Sequence, residues 1–384
     1  MRIVICGAGI AGLTLANQLA ANHDVTIVEK APGPRPHGYM IDFFGPGYDV
    51  AEKMDLLPAL RKTGYQVSEA AYVDENGRRR AGLPFDVFAK AVDGKLVSIM
   101  RPDLETVLRE RLSVDLRFGT TVSHINNASD NVTVTLSDGT AIVADPLVGA
   151  DGIHSTVRTL TFGNDDYLRY LGFHTAAYVF DNPAVHVQVG DRFCLTDTVG
   201  KQFGFYALRD GRVAAFAVHR TEDPTLPKDP SAAVRSVYAD LGWVVPQALE
   251  ACPDAKNVYY DQVAQTVMPE WSRGRVVLIG DACHAVSLLA GQGASLGMAG
   301  AFILAVQLDK TPLPEALTSY EKLWRPVVEE KQQVARNGAR RFLPASENHL
   351  RIRRAAMRLA RVPGFSRYLA GTIAGKTTAV INQL

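Results

Sequence analysis

The chain has 384 residues, 47% of them hydrophobic and 21% charged, with a formal net charge of +1. Such values describe an ordinary soluble globular protein of about two domains. They exclude a strongly basic nucleic-acid binder, and no apolar run reaches the roughly 18 residues of a membrane span.

Arg2-Ile3-Val4-Ile5-Cys6 is a continuous apolar run that predicts a buried parallel strand. The turn Gly7-Ala8-Gly9-Ile10-Ala11-Gly12 and an apolar helix follow, then a second strand over Val25–Val28 ending at Glu29. This is a βαβ unit with a dinucleotide-binding turn. Gly7 permits the tight turn, Gly9 lets backbone approach a pyrophosphate, and Gly12 lets helix and strand pack closely. The helix N-terminus offers N–H groups to phosphate, and Glu29 is spaced to accept both ribose hydroxyls. Met1-Arg2 and the apolar stretch superficially resemble a secretory signal, but the embedded glycine turn favours the βαβ reading.

Residues 31–48 are rich in Pro and Gly and read as a long functional loop. A helix is predicted over 49–63, hairpin strands over 67–97 with a turn at Glu75-Asn76-Gly77, and a helix opening at Arg101-Pro102. Residues 114–148 alternate as short strands around the turn Ser137-Asp138-Gly139. Residues 173–220 are strand-like and aromatic, with turns at Asn182-Pro183 and Asp210-Gly211, and form the best candidate for a substrate-facing sheet. Residues 231–252 read as helical. Arg275-Val276-Val277-Leu278-Ile279 is a buried strand leading to Gly280-Asp281, a small-residue helix covers about 292–310, and helices run to the end. Residues 336–384 carry ten basic side chains and one acidic. Docking on the otherwise acidic remainder is favoured for this tail over contact with a membrane surface. The four cysteines, Cys6, Cys194, Cys252 and Cys283, form no C-x-x-C pair. They are expected to be reduced, mostly buried thiols of a cytoplasmic protein, and no metal site is predicted.

Three segments carry the chemistry: the turn at 7–12, Gly149-Ala150-Asp151-Gly152 with Ser155 and Arg158, and Gly280-Asp281-Ala282-Cys283-His284 with Gly291-Gln292-Gly293. In this order and spacing they resemble the FAD signature of the class A aromatic hydroxylases, flavoprotein monooxygenases of the para-hydroxybenzoate hydroxylase fold. The resemblance implies an α/β chain. A Rossmann-like FAD-binding domain (1–66, 98–168 and 268–335) would carry a mostly β-sheet substrate domain (67–97 and 169–267) and a basic C-terminal helical segment (336–384). It implies tightly bound FAD, transient NAD(P)H, and O2 delivered to an electron-rich aromatic or polyketide-like molecule through a flavin C4a-hydroperoxide. The cofactor residues it implies are Gly7, Gly9, Ile10, Ala11, Gly12, Glu29, Lys30, Arg35, Arg101, Val122, Asp151, Arg158, Asp281, Gly291, Gly293, Ala294 and Ser295. The loop Arg35-Pro36-His37-Gly38-Tyr39-Met40-Ile41-Asp42 resembles the flavin-side loop of tetracycline-inactivating monooxygenases.

His37, Asp42 and His284 are the candidate catalytic groups, with His219 and His186 as further acid/base candidates. Phe203, Phe205, Tyr206, Phe216 and Leu288 are candidate substrate contacts, although strand alternation predicts that only one face lines a pocket. Two departures from the family stand out. Leu288 replaces a Pro near the oxygen-reactive face, and Ser295 and Gly300 stand where many members have Asn-x-x-x-x-Asp. The first keeps open a flavin oxidoreductase that inserts no oxygen. A non-catalytic flavin-binding regulator is the alternative from another class. A halogenase of the same superfamily would need Trp-x-Trp-x-Ile-Pro, and Trp243, Trp271 and Trp324 are too scattered to supply it.

Overall fold

The structure is a computed structural model that describes residues 1–34, 38–164, 166–288, 291–359 and 380–384. The chain opens with β1 (Arg2–Cys6), α1 (Ile10–Leu19), β2 (Asp24–Glu29), β3 (Met40–Phe44), α2 (Pro46–Lys53) and α3 (Leu57–Thr63). It continues with β4 (Glu69–Val73), β5 (Arg79–Pro84), α4 (Phe85–Ala91), β6 (Leu96–Met100) and α5 (Arg101–Arg109). Next come β7 (Asp115–Phe118), β8 (Val122–Asn127), β9 (Val132–Leu136), β10 (Ala141–Ala144), β11 (Leu147–Gly149) and α6 (Thr156–Phe162). The middle of the chain holds β12 (Leu168–Phe180), α7 (Pro183–Val189), β13 (Phe193–Thr196), β14 (Lys201–Ala207), β15 (Val213–Arg220), α8 (Pro230–Val237) and α9 (Val245–Glu250). It closes with β16 (Tyr259–Thr266), β17 (Ser272–Arg273), β18 (Val276–Leu278), α10 (Asp281–His284), α11 (Gly293–Lys310), α12 (Leu313–Phe342), α13 (Glu347–Leu359) and a last short helix at Val380–Gln383.

One six-stranded sheet runs β17-β18-β11-β1-β2-β7, parallel except for β17. Its central strands are buried on both faces, which explains the unbroken apolar run at β1. A seven-stranded sheet runs β16-β12-β15-β14-β13-β4-β5 and is antiparallel apart from the β13–β4 pair. A three-stranded β10-β9-β8 sheet and the β3–β6 pair complete the strands. The α/β class with a Rossmann-like sheet, a second mostly β sheet and C-terminal helices is therefore what the chain adopts.

Four local readings of the sequence need correction. Helices α4 and α7 interrupt stretches expected to be strands. Asn182-Pro183, expected as a turn, begins α7: the Asn182 side chain accepts from the Val185 amide and Pro183 occupies the first turn. The helix expected over 49–63 is broken by Asp55, whose φ of 52° lies in the left-handed region. The helix expected over 231–252 is likewise split into α8 and α9, with Trp243 at φ 57° between them. All four cysteines are buried and free. No helix among the described residues is long and apolar enough to cross a membrane.

Candidate active site

The carboxyl ends of β1, β2 and β11 open on a cleft lined by the Gly7–Gly9 turn, Glu29, Arg101 and the Asp151-Gly152 turn. The glycines of the first turn have different tasks. A Cβ on Gly7 would stand 2.3 Å from the Ala150 carbonyl oxygen, and Gly7 also has φ 113°. A Cβ on Gly12 would stand 2.0 Å from the Gly7 carbonyl oxygen. A Cβ on Gly9, in contrast, meets nothing within 4 Å. Gly7 and Gly12 are therefore fixed by packing, while Gly9 faces open space at the start of α1, where Ile10, Ala11 and Gly12 begin the helix. No side chain caps that end. A helix N-terminus left uncapped beside an open glycine fits a pyrophosphate.

Glu29 ends β2 with Oε2 accepting from the Ala8 amide at 2.9 Å and Oε1 from the Ala31 amide at 2.9 Å. These bonds hold its carboxylate at the cleft wall, beside Lys30. Arg101 starts α5, lines the same cleft, and pairs with Glu105 at 3.3 Å. Thr121, adjacent to Val122, reaches the cleft, whereas the Val122 side chain is fully buried.

Asp151 accepts from Ser155 Oγ at 2.5 Å and from the amides of Thr156 and Val157 at 2.7 and 3.1 Å, so its carboxylate secures the first turn of α6. Burial raises its pKa, against those same bonds. Arg158 is turned away from the cleft. Its Nη1 donates to the Ala282 carbonyl at 2.8 Å and its Nη2 to the Ile153 carbonyl at 2.7 Å, so it ties the second motif to the third. Asp281 begins α10 with an exposed side chain. Desolvation by the surrounding protein raises its carboxyl pKa, and the Arg101 charge pulls it back.

Gly291 and Gly293 border the start of α11, where a Cβ on either meets nothing within 4 Å, and Ala294 is partly buried there. Ser295 is buried and accepts from the Gly47 amide at 2.8 Å, which locks α2 onto α11 and turns its hydroxyl away from the opening.

Among the catalytic candidates, His37 lies outside the described residues, as does Arg35. Asp42 sits on β3 and accepts from Ser98 Oγ at 2.5 Å, with its pKa raised by burial. His284 is not brought to the cleft. It is 2% exposed, packed 5.1 Å from the Trp271 ring, and burial pushes its pKa down to about 4. His219 and His186 are also remote: they bond Tyr238 and the Leu208 carbonyl on the far side of the seven-stranded sheet.

The neutral, buried His284 carries a pH signature. The unfolded chain protonates it near 6.5 and the folded chain only near 4, so the folded form is fully favoured above pH 6.5. It loses about 1.4 kcal/mol per unit as pH falls through that window. His284→Phe should flatten the fall of the thermal midpoint between pH 6.5 and 4. An unchanged slope would show that His284 does not titrate this way.

The candidate substrate contacts divide by strand face. Phe203 and Phe205 share a face with Ala217 and Ala215 and are fully buried with Tyr178, Val185 and Tyr238, so both are core residues rather than pocket lining. Tyr206 and Phe216 occupy the other face. Phe216 lies 5.8 Å from the Tyr39 ring, which lies 5.8 Å from that of Tyr259. Leu288, like Phe216 and Phe342, packs against the buried cluster of Phe173, Val218, Val263, Ala339 and Leu343. Tyr206 stacks on Phe193, 4.0 Å between centroids.

Sequence reasoning missed Tyr39, Tyr259 and the pair His154–Asp261, whose Nε2 and Oδ1 are 3.1 Å apart at the edge of the cleft. Tyr39 and His154 lie inside quoted motifs and were findable there. The partners on β16 are more than a hundred residues from His154 and carry no local signal.

A family model described as an FAD-binding domain matches residues 1–335. Rv1260 of Mycobacterium tuberculosis (strain ATCC 25618 / H37Rv) is 34% identical over 319 residues, covering 80% of this chain and 84% of the relative. A flavin-dependent monooxygenase from an unknown prokaryotic organism is 30% identical over 345 residues, covering 86% and 87%. The crystal structure of the tetracycline destructase Tet(55) is similar at a TM-score of 0.82, with 26% identity and 98% of each chain covered.

Proposed function

The chain belongs to the FAD-binding-domain family of flavin-dependent monooxygenases, and from that we propose that it uses NAD(P)H and O2 to hydroxylate an electron-rich aromatic or polyketide-like small molecule. The observation that carries the reading is the seam between the two main sheets. The phosphate-ready turn at Gly9 and Arg101, whose charge reaches Asp281, stand on one side, and the aromatic face of Tyr39, Phe216 and Tyr259 on the other.

FAD, when bound, supplies the two-electron chemistry that activates dioxygen. The turn at 7–12 and the start of α1 would hold its pyrophosphate, Glu29 its ribose, and Arg101, Asp151 and Asp281 the portion nearer the substrate sheet. The protein's own contribution is orientation and exclusion of water. Tyr39, Phe216, Leu288 and Phe342 make an apolar, ring-lined surface suited to a planar substrate. With His284, His219 and His186 away from the cleft, Asp42 is the described candidate left for proton handling. Its bond to Ser98 fixes the carboxyl, and its raised pKa favours retention of a proton.

The test is anaerobic reduction of the FAD-loaded protein by NADPH and by NADH, followed by its absorbance, with a panel of phenolic and polyketide compounds. The proposal expects one pyridine nucleotide to bleach the flavin bands, faster in the presence of a ligand of that class. No reduction by either nucleotide with any ligand would favour the non-catalytic regulator.

A further inference from the structure

The face of the seven-stranded sheet that carries Phe216 is not closed by the sheet alone. The last turns of α12 lie on it, with Ala339 and Leu343 buried against Phe173, Val218 and Val263, and with the Phe342 ring 6.0 Å from that of Phe173. The chain that follows is tied to the same sheet. The Gly200 amide donates to the Pro344 carbonyl at 2.9 Å, and Arg220 donates to the Leu343 carbonyl at 3.3 Å. Beyond these backbone ties, one charged group takes hold of α13. Asp197 follows β13, and its own amide donates to the Val73 carbonyl at 3.0 Å, so its backbone is fixed to the sheet. Its side chain is 1% exposed and receives Arg353 at 2.6 Å through one oxygen and Arg354 through the other. The Arg353 guanidinium also lies over the Tyr72 ring at 4.6 Å.

We infer that Asp197 is a positioning residue for the substrate cavity: by holding Arg353 and Arg354 it keeps the end of α12, with Phe342 and Leu343, in place as one wall beside Phe216 and Leu288. This rests on the reading of that aromatic face as the substrate's place. Charge-assisted bonds to both oxygens of a desolvated carboxylate are strong and directional, and removal of one partner leaves the other charge buried without compensation. A neutral amide at 197 leaves two guanidiniums with no anion, so α13 lifts and the wall it continues loosens. A carboxylate one methylene longer still satisfies both.

The experiment uses the full FAD-loaded chain and three variants, Asp197→Asn, Asp197→Glu and the double Arg353→Gln/Arg354→Gln. Limited trypsin cleavage after Arg351, which all of them retain, reports release of the segment. Binding of 8-anilinonaphthalene-1-sulfonate, an apolar aromatic anion, reports the cavity. Flavin absorbance and the thermal midpoint control for folding. Asp197→Asn and the double variant should each raise cleavage by about tenfold, following the population of the opened segment. Both should also change the dye's Kd at unchanged flavin content, and Asp197→Glu should restore both readouts. If Asp197→Asn fails to hold FAD, the double variant decides, because it alters α13 alone. Cleavage and dye binding as in the unaltered chain would overturn the inference. Raised cleavage with unaltered dye binding would overturn the assignment to the cavity while leaving the flavin site untouched.

Discussion

Gly9→Val is expected to give a folded protein that no longer retains FAD. The space beyond the Gly9 Cα is open, so the added side chain clashes with nothing in the protein and the backbone there needs no left-handed conformation. It does fill the hollow where a pyrophosphate would approach α1. FAD affinity should fall by at least about a hundredfold, roughly 2.7 kcal/mol, with an unchanged circular dichroism spectrum. Gly12→Val is the contrasting variant. Its Cβ would lie 2.0 Å from a backbone oxygen, a collision that only movement of α1 away from β1 can relieve. A loss above about 4 kcal/mol is expected, enough to prevent accumulation of folded protein. Retention of FAD by Gly9→Val at its original affinity would contradict the assignment of the turn.

Phe203→Ala and Phe216→Ala should separate stability from substrate recognition on one sheet. Phe203 is fully buried and packs on Tyr238 and Phe205 at ring separations of 5.0 Å, so truncation leaves a cavity and costs about 3–5 kcal/mol in denaturant unfolding. Phe216 is half-buried on the opposite face, beside Tyr39. Its truncation should cost about 1 kcal/mol of stability and instead weaken whichever aromatic ligand accelerates flavin reduction. Equal stability losses in the two variants would show that the faces do not divide the work in this way.

Much of this was legible locally. The apolar run of β1, the glycine turn and Glu29 specify a βαβ unit because each constraint is satisfied within about thirty residues. The Gly280-Asp281 turn and the helix after Gly291 were readable for the same reason. Strand alternation also foretold that only part of the aromatic set on β14 and β15 could face a pocket. It did not say which part, because that depends on which face α7, α8 and α9 cover. His284 shows the limit of a motif: adjacency to Asp281 along the chain says nothing of the side chain's direction, and one turn of α10 carries it into the core beside Trp271. Arg158 was read as a cofactor ligand, yet its guanidinium is engaged by the carbonyls of Ile153 and Ala282. Such a bridge between residues more than a hundred apart has no signature in sequence. The Asp197–Arg353–Arg354 anchor is hidden in the same way, although the charge imbalance of the tail was plain.

The central claim is that one oxygen atom from O2 enters the substrate. The most direct measurement supplies 18O2 to the FAD-loaded protein with its preferred pyridine nucleotide and the ligand that most accelerates flavin reduction, and weighs the product. The account predicts a product carrying one 18O atom, with the other leaving as water. A ligand recovered unlabelled, or oxidised without label while hydrogen peroxide accumulates, would contradict it and favour a flavin oxidoreductase that inserts no oxygen.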